Sequence, residues 1–375
     1  MIKETKMKKN TLNNYQEFLF GPAHPGSGNF SGRIKLDGER IVEAKSDPGY
    51  LHRGFEKLME YRNIWQNAVL SDRICVFEPL AWNLLFAEAV EKLAEIEVPE
   101  RAKYIRVILA ELSRIQSHLI WFGGLSLATG FDTGFKIALG YRDYILDIFS
   151  EITGARLYPA GFICPGGLRK DLPSGIENRI LKVLDKIKEA VSYFEKEDPV
   201  FESRTKGIGV LKLEDAVRLG ATGPVLRASG FLQDIRKSDP YEIYQETDFT
   251  VPVLKEGDAY SRFKIGLLEI EEGVKIIKKL LNKIPSGPFL NKKMKVGMPF
   301  VLPENEVYVR NEIARGEGAI YIRGKGEVNP DRVKIKGPSF LHLIPVLEFL
   351  LKGAEIADIP VIYWSLNPCP ADMDR

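Results

Sequence analysis

The stretch from Pro99 to Phe122 constrains the fold more than any other. Within it Ile105, Ile108, Leu109, Leu112, Ile115 and Leu119 recur at helical spacing and form one apolar stripe. A helix of this kind must bury its stripe against other elements. Pro99 suits the opening of that helix, and Pro79 suits the opening of one before it, running to about Glu97. Arg101, Glu111 and Arg114 fall off the stripe and are expected on the surface. Similar stripes predict helices near 136–152, 175–197 and 258–283, with Asp258 as the N-cap of the last. Helices that bury one face against each other form a bundle.

Strand signals lie towards both sequence ends. Arg33–Leu36 and Arg40–Glu43 flank Asp37-Gly38, a two-residue turn suited to positive φ. Ala319–Arg323 and Arg332–Lys336 alternate around a turn-rich GKGEVNPD. A short helix over about 339–352 precedes the apolar Ile359–Trp364. The expected class is α+β, a central α-helical bundle with small β elements near both sequence ends. Residues 1–54 form an N-terminal tail, loop and hairpin region, and 55–300 the bundle core. Residues 301–375 form a β-hairpin, a short helix and an active-site tail. No linker-like composition separates the three.

Charge and apolar runs exclude several function classes. With 53 basic residues against 51 acidic ones the net charge is +2, so there is no electrostatic case for nucleic acid as a partner. The longest apolar run, Phe340–Leu351, is about twelve residues and holds His342, Pro345 and Glu348, against roughly 20 for a membrane span. The basic start MIKETKMKKN has no apolar run behind it. It reads as a solvated tail or a docking segment, not a secretory signal. Reduced thiols in a cytoplasmic setting are the expectation. CxxC, HExxH, P-loop, GxGxxG and GxSxG motifs are all missing.

The three cysteines are the first place to look for chemistry, since thiolates bind soft metals and attack sulfur. Cys75 lies in SDRICVFEP, beside Arg73 and just before a helix start, and both neighbours lower a thiol pKa. Cys75 is followed at i+3 by Glu78, and Cys369 by Asp372. On a helical turn those positions share a face. Each cysteine can equally be a small buried hydrophobe. Cys164, in a GFICPGG loop, reads as structural. His24 sits in a Gly/Pro loop and faces either a cleft or solvent. His52 precedes a helix, and His118 and His342 read as core residues.

Taken together, GPAHPGSGNF, YLHRGFEKL, VPERAKYIRVILAELSRIQSHLIWFG, PGGLRKDLP, ATGPVLRASGFLQDIRKSDPYEIYQETDFTVP and EIARGEG resemble one superfamily. It is the large catalytic subunit of energy-converting, membrane-bound NiFe hydrogenases and of respiratory complex I, the 49-kDa or D-type subunit. The resemblance runs from about Gly21 to Arg375. Hydrogenases of this family carry two CxxC motifs that hold nickel. The matching positions here read Cys75-Val-Phe-Glu78 and Cys369-Pro-Ala-Asp372. Two hard carboxylates in place of soft thiolates should not retain nickel. His24 matches a quinone-pocket histidine of complex I, but the pocket's tyrosine position is Val76 here. The half-retained pattern is most similar to the large subunit of the membrane-bound sulfane-sulfur reductase of sulfur-reducing archaea.

That resemblance implies an oxidoreductase subunit of a ferredoxin-dependent respiratory complex. The complex would reduce polysulfide to sulfide and couple this to ion pumping by membrane subunits. Cys75 and Cys369 would face one cleft beside a 4Fe–4S cluster held by an iron–sulfur small subunit. This chain itself would bind no metal or cofactor. Glu78 and Asp372 would exchange protons, Arg73 and Arg315 would steady the anionic polysulfide, and His24 would assist in either role. The subunit would sit peripherally on the cytoplasmic face of the membrane. Three alternatives stand beside this reading: a quinone-reducing subunit, a hydrogenase-type subunit with altered ligands, and a non-catalytic scaffold that docks the cluster subunit to a membrane arm.

Overall fold

The computed structural model describes residues 15–196 and 198–375. The basic N-terminal tail lies outside them. The helical core is assembled from α1 (Phe55–Glu60), α2 (Ile64–Ser71), α3 (Pro79–Ala94), α4 (Glu100–Ala128), α5 (Asp132–Thr153), α6 (Ile176–Glu195) and α7 (Ala259–Leu281). α4 packs against α3, α5 and α7. Pro79 is the first residue of α3, as its fixed φ favours. α3 stops at Ala94, short of Glu97, because Glu95 turns into the left-handed region at φ 52°. Pro99 is the N-cap of α4, which runs past Phe122 to Ala128. Asp258 caps α7 as expected, its Oδ1 accepting from Ser261 N at 2.7 Å.

The apolar stripe on α4 faces the core, but the opposite side is not surface. Other elements enclose it, and Glu111 and Arg114 are buried. Glu111 Oε1 accepts from Tyr244 Oη at 2.5 Å and from Arg236 Nη1 at 3.1 Å. Arg114 Nη2 donates to the Glu312 carbonyl at 2.6 Å. Buried charges persist only when paired in this way. Arg101 is also drawn inward and pairs with Asp171 at 2.8 Å. His118 and His342 are buried. His118 Nε2 lies 2.9 Å from Glu269 Oε2, and His342 Nε2 accepts from Thr222 N at 3.2 Å.

Two three-stranded antiparallel sheets lie towards the sequence ends. The first contains β1 (Gln16–Phe20), β2 (Gly32–Asp37) and β3 (Arg40–Ser46). Its hairpin turn falls one residue later than expected. Asp37 pairs with Arg40, so the turn is Gly38-Glu39, and Gly38 takes φ 61°. The second contains β4 (Glu306–Ile313), β5 (Gly316–Arg323) and β6 (Arg332–Lys336). β4 was not foreseen. Its register, Val307 to Ile322 through Ile313 to Gly316, leaves Ala314-Arg315 as a two-residue turn.

Past the second sheet the chain is helical again. The expected helix near 339–352 is interrupted by a π turn over His342–Val346, which contains Pro345. The apolar Ile359–Trp364 lies in α8 (Ile359–Ser365), and α9 (Pro370–Asp374) follows. Among the described residues no helix is long and apolar enough to cross a membrane.

Candidate active site

Two short segments form the site. Cys75 lies in the link between α2 and α3. Cys369 is the N-cap residue of α9. Although 294 positions apart, their sulfurs approach to 3.2 Å, with Cys369 Sγ donating to Cys75 Sγ. Both side chains are enclosed, at 0% and 1% exposure. Burial and the neighbouring Cys75 sulfur push the Cys369 thiol well up, so Cys369 holds its proton.

Arg315 closes the buried side. The β4–β5 turn carries it inward, where it is fully buried above the ring of Phe77 at 5.2 Å. Burial by itself would lower its pKa, but Cys75, Cys369 and Glu78 more than offset this and raise it. Nη1 donates to Ser117 Oγ at 3.0 Å and lies 3.5 Å from Glu78 Oε2. Nε and Nη2 are buried and find no partner among the described residues. Two unpartnered guanidinium nitrogens on a buried cation, beside two sulfurs, make a receptor for an anion.

The two carboxylates are held differently. Glu78 accepts from Ala314 N with both oxygens at 2.8 Å. Burial pushes its carboxyl up to about 7, against the pull of Arg114 and Arg315. Asp372 Oδ1 accepts from Ser339 N at 3.1 Å, while Oδ2 is buried without a partner among the described residues. Burial raises Asp372 to about 6, opposed by Arg315 and Ser339. Gly337 makes this fit possible, since a Cβ there would stand 2.5 Å from Asp372 Oδ1. Ser339 also fixes the loop, its Oγ accepting from Cys369 N at 3.2 Å.

The donor atoms of Cys75, Cys369 and Asp372 lie within 4.8 Å of one another. This is a soft–soft–hard set of three. Glu78 is the remaining position of the hydrogenase pattern, and its oxygens are already engaged by Ala314 N and Arg315. The donors therefore do not reproduce a four-thiolate nickel site. Three cysteines in the whole chain are also too few for the four thiolates of an iron–sulfur cluster.

Not every expected residue reaches the thiols. Arg73 donates to Val69 O at 2.8 Å, pairs with Asp72 and lies over the Tyr158 ring at 5.0 Å. His24 is exposed, and its Nδ1 accepts from Gly26 N at 3.1 Å. Among the described residues none of its contacts is with Cys75 or Cys369. Its loop is nevertheless docked nearby: Tyr363 Oη donates to Ser27 O at 2.6 Å and Trp364 Nε1 to Gly26 O at 3.0 Å. Cys164 is buried in a two-residue ladder with Gly167-Leu168, and burial pushes its thiol up to about 11. A thiol in that state is inert.

The inferred site omitted Arg53, Ser117 and Ser339. Arg53 packs on Phe55 at 4.3 Å on the more open side of the thiols. Burial lowers its pKa, and Cys369, Tyr158 and Cys75 oppose that. The YLHRGFEKL stretch contained the signal for Arg53. Nothing in local spacing marks the two serines.

Comparison with known proteins agrees with this architecture. Residues 128–375 match the family described as respiratory-chain NADH dehydrogenase, 49 Kd subunit, and residues 53–129 match nickel-dependent hydrogenase. The chain is 43% identical to the D-type subunit of the NADH-quinone oxidoreductase of Thermosipho melanesiensis, covering 96% of this chain and 99% of that one. It is 39% identical to the D-type subunit of the F(420)H(2) dehydrogenase of Methanosarcina mazei, covering 95% and 96%. Among solved structures, a chain of the membrane-bound sulfane sulfur reductase, an archaeal respiratory membrane complex, superposes with a TM-score of 0.92. The identity is 41%, covering 96% of this chain and 98% of that one.

Proposed function

The chain belongs to the 49-kDa subunit family of respiratory-chain NADH dehydrogenase, and for this member of it we propose a catalytic role in reducing sulfane sulfur. At the coarser level it is an oxidoreductase subunit of a membrane-bound respiratory complex related to complex I. The observation that carries the finer reading is the Cys75–Cys369 pair at 3.2 Å beside the two unpartnered guanidinium nitrogens of Arg315. The likeness to a chain of the archaeal sulfane sulfur reductase complex supports it.

In this reading Arg315 draws the anionic end of a polysulfide against the sulfurs. Cys75 accepts the hydrogen bond in the pair and is the nucleophile, attacking a sulfane sulfur to form a mixed polysulfide. Glu78, raised to about 7, holds a proton about half the time near neutral pH and passes it to the departing sulfur, while Asp372, raised to about 6, is mostly ionised there and takes protons up. The electrons would come from a 4Fe–4S cluster held by an iron–sulfur partner subunit and fed by reduced ferredoxin. The subunit sits peripherally on the cytoplasmic face of the membrane. Ion pumping belongs to the membrane partners.

The names of several relatives favour a second reading, quinone reduction. Val76, next to Cys75, offers no hydroxyl to a quinone carbonyl, so sulfur remains the better fit. The deciding experiment is sulfide release by the purified whole complex, given a low-potential donor and polysulfide. Sulfide production that collapses in Cys75→Ser is the expected result. No sulfide above the donor-only background would overturn the reading and make quinone the next acceptor to try.

A further inference from the structure

Resting on that sulfur-reducing reading, we propose that Cys75 and Cys369 act as a redox couple that closes to a cystine once in each turnover. The sulfurs are 3.2 Å apart. A disulfide needs about 2.05 Å, so closure asks for roughly 1 Å of approach between two side chains already in contact. The segments that carry them are suited to that approach. Cys75 sits on a link between helices, and Cys369 is the capping residue of the short α9. The third thiol cannot compete, because Cys164 is held in its own ladder, where the Cys164 carbonyl accepts from buried Arg106 Nη2 at 2.8 Å.

The pair is also asymmetric in the way a nucleophile and a resolving thiol require. Cys369 donates its hydrogen to Cys75, and Asp372 Oδ2 has no partner among the described residues. A carboxylate oxygen of Asp372 lies within 4.8 Å of both sulfurs. In the first step the Cys75 sulfur attacks the terminal sulfane sulfur. A Cys75–S bond forms, one S–S bond of the polysulfide breaks, and its electron pair and the Cys75 proton leave with the shortened polysulfide. In the second step Cys369 gives its proton to Asp372 and its sulfur attacks Cys75 Sγ. The cystine bond forms, the persulfide bond breaks, and the outer sulfur leaves with the bonding pair, taking the proton from Asp372 as hydrosulfide. The sulfane sulfur has gained two electrons and the thiol pair has lost two. Two electrons from a low-potential iron–sulfur donor, with two protons, then restore both thiols.

The test is a single turnover of the whole complex with polysulfide and no electron donor, followed by thiol trapping and peptide mass spectrometry. Wild type should yield a Cys75–Cys369 cystine and about one sulfide per complex. Cys369→Ser should stop one step earlier, with Cys75 one sulfur atom heavier and steady-state sulfide release at least about tenfold slower. A persulfide that persists on Cys75 of the wild type, or a Cys369→Ser variant turning over at the wild-type rate, would overturn the couple while leaving sulfur reduction intact. Sulfide release with both thiols untouched would place the cleavage elsewhere in the complex and overturn the couple as well. Absence of sulfide even with a donor present would instead remove the sulfur-reducing reading itself.

Discussion

The carboxylate of Glu78 takes both of its 2.8 Å hydrogen bonds from a single amide, that of Ala314, 236 positions further along the chain. That amide belongs to the β4–β5 turn, whose other residue is Arg315. One turn therefore sets the distance between the acid and the cation. With Glu78 raised to about 7, the acid form is lost as pH rises through neutrality. Sulfide release should fall on that limb. Glu78→Gln should flatten it and lower the rate about a hundredfold, as a pH–rate profile of the complex will show.

The same group makes a prediction about stability. Its folded value is above its ordinary value of 4.5, so the native state binds the proton more tightly than the unfolded one. Stability is then fully present below about 4.5 and is lost as pH rises towards about 7, by about 3 kcal/mol over that window. Glu78→Gln should remove this slope. Chemical denaturation followed at several pH values measures it.

Arg315→Lys keeps the charge and removes the fork of N–H groups. The Michaelis constant for polysulfide should rise about tenfold, with a smaller change in kcat. A fall in kcat alone would mean that the guanidinium does not hold the substrate.

Arg53 and Arg73 should separate cleanly. Arg53 faces both sulfurs from the more open side, whereas Arg73 is committed to Asp72 and Tyr158. Arg53→Gln should raise the Michaelis constant by about threefold at low salt and less at high salt. Arg73→Gln should leave it within about twofold and show its cost in thermal stability instead, since it strips buried Asp72 of its ion-pair partner.

Glu269 sits at the centre of a buried cluster, 2.9 Å from His118 Nε2 and 2.5 Å from Arg227 Nη2. Its removal leaves Arg227, which is fully buried, with less compensation. Glu269→Ala should destabilise the subunit by about 3–5 kcal/mol without altering the pH optimum, which thermal unfolding and a pH profile of the complex will report.

Much of the fold was legible because helix signals are local. Pro79 opens its helix, Asp258 caps its own, and the α4 stripe faces the core. The turn at Gly38-Glu39 slipped by one residue because Asp37 can either enter the turn or end the strand. β4 escaped notice because Asn311 and Glu312, near its end, are polar yet buried, which breaks the alternation that marks a strand. Glu111 and Arg114 were misplaced for a related reason: a helix enclosed by neighbours has no surface side, and periodicity cannot report what covers the far face. In the site, Cys75, Cys369, Glu78, Asp372 and Arg315 were visible through the family pattern. Ser339 and the Ala314 amide contribute through backbone geometry, which leaves no mark in residue type.

The separation of the two cysteines in the chain has a consequence for biosynthesis. A ribosome must add 294 residues after Cys75 before its partner exists. At about 5–20 residues per second this is on the order of 15–60 s. Throughout that interval the nascent chain carries a thiol whose sulfur neighbour has not yet been made. The Cys75–Cys369 pair thus exists only once residue 369 has been added, and a product truncated before it carries Cys75 without its sulfur neighbour.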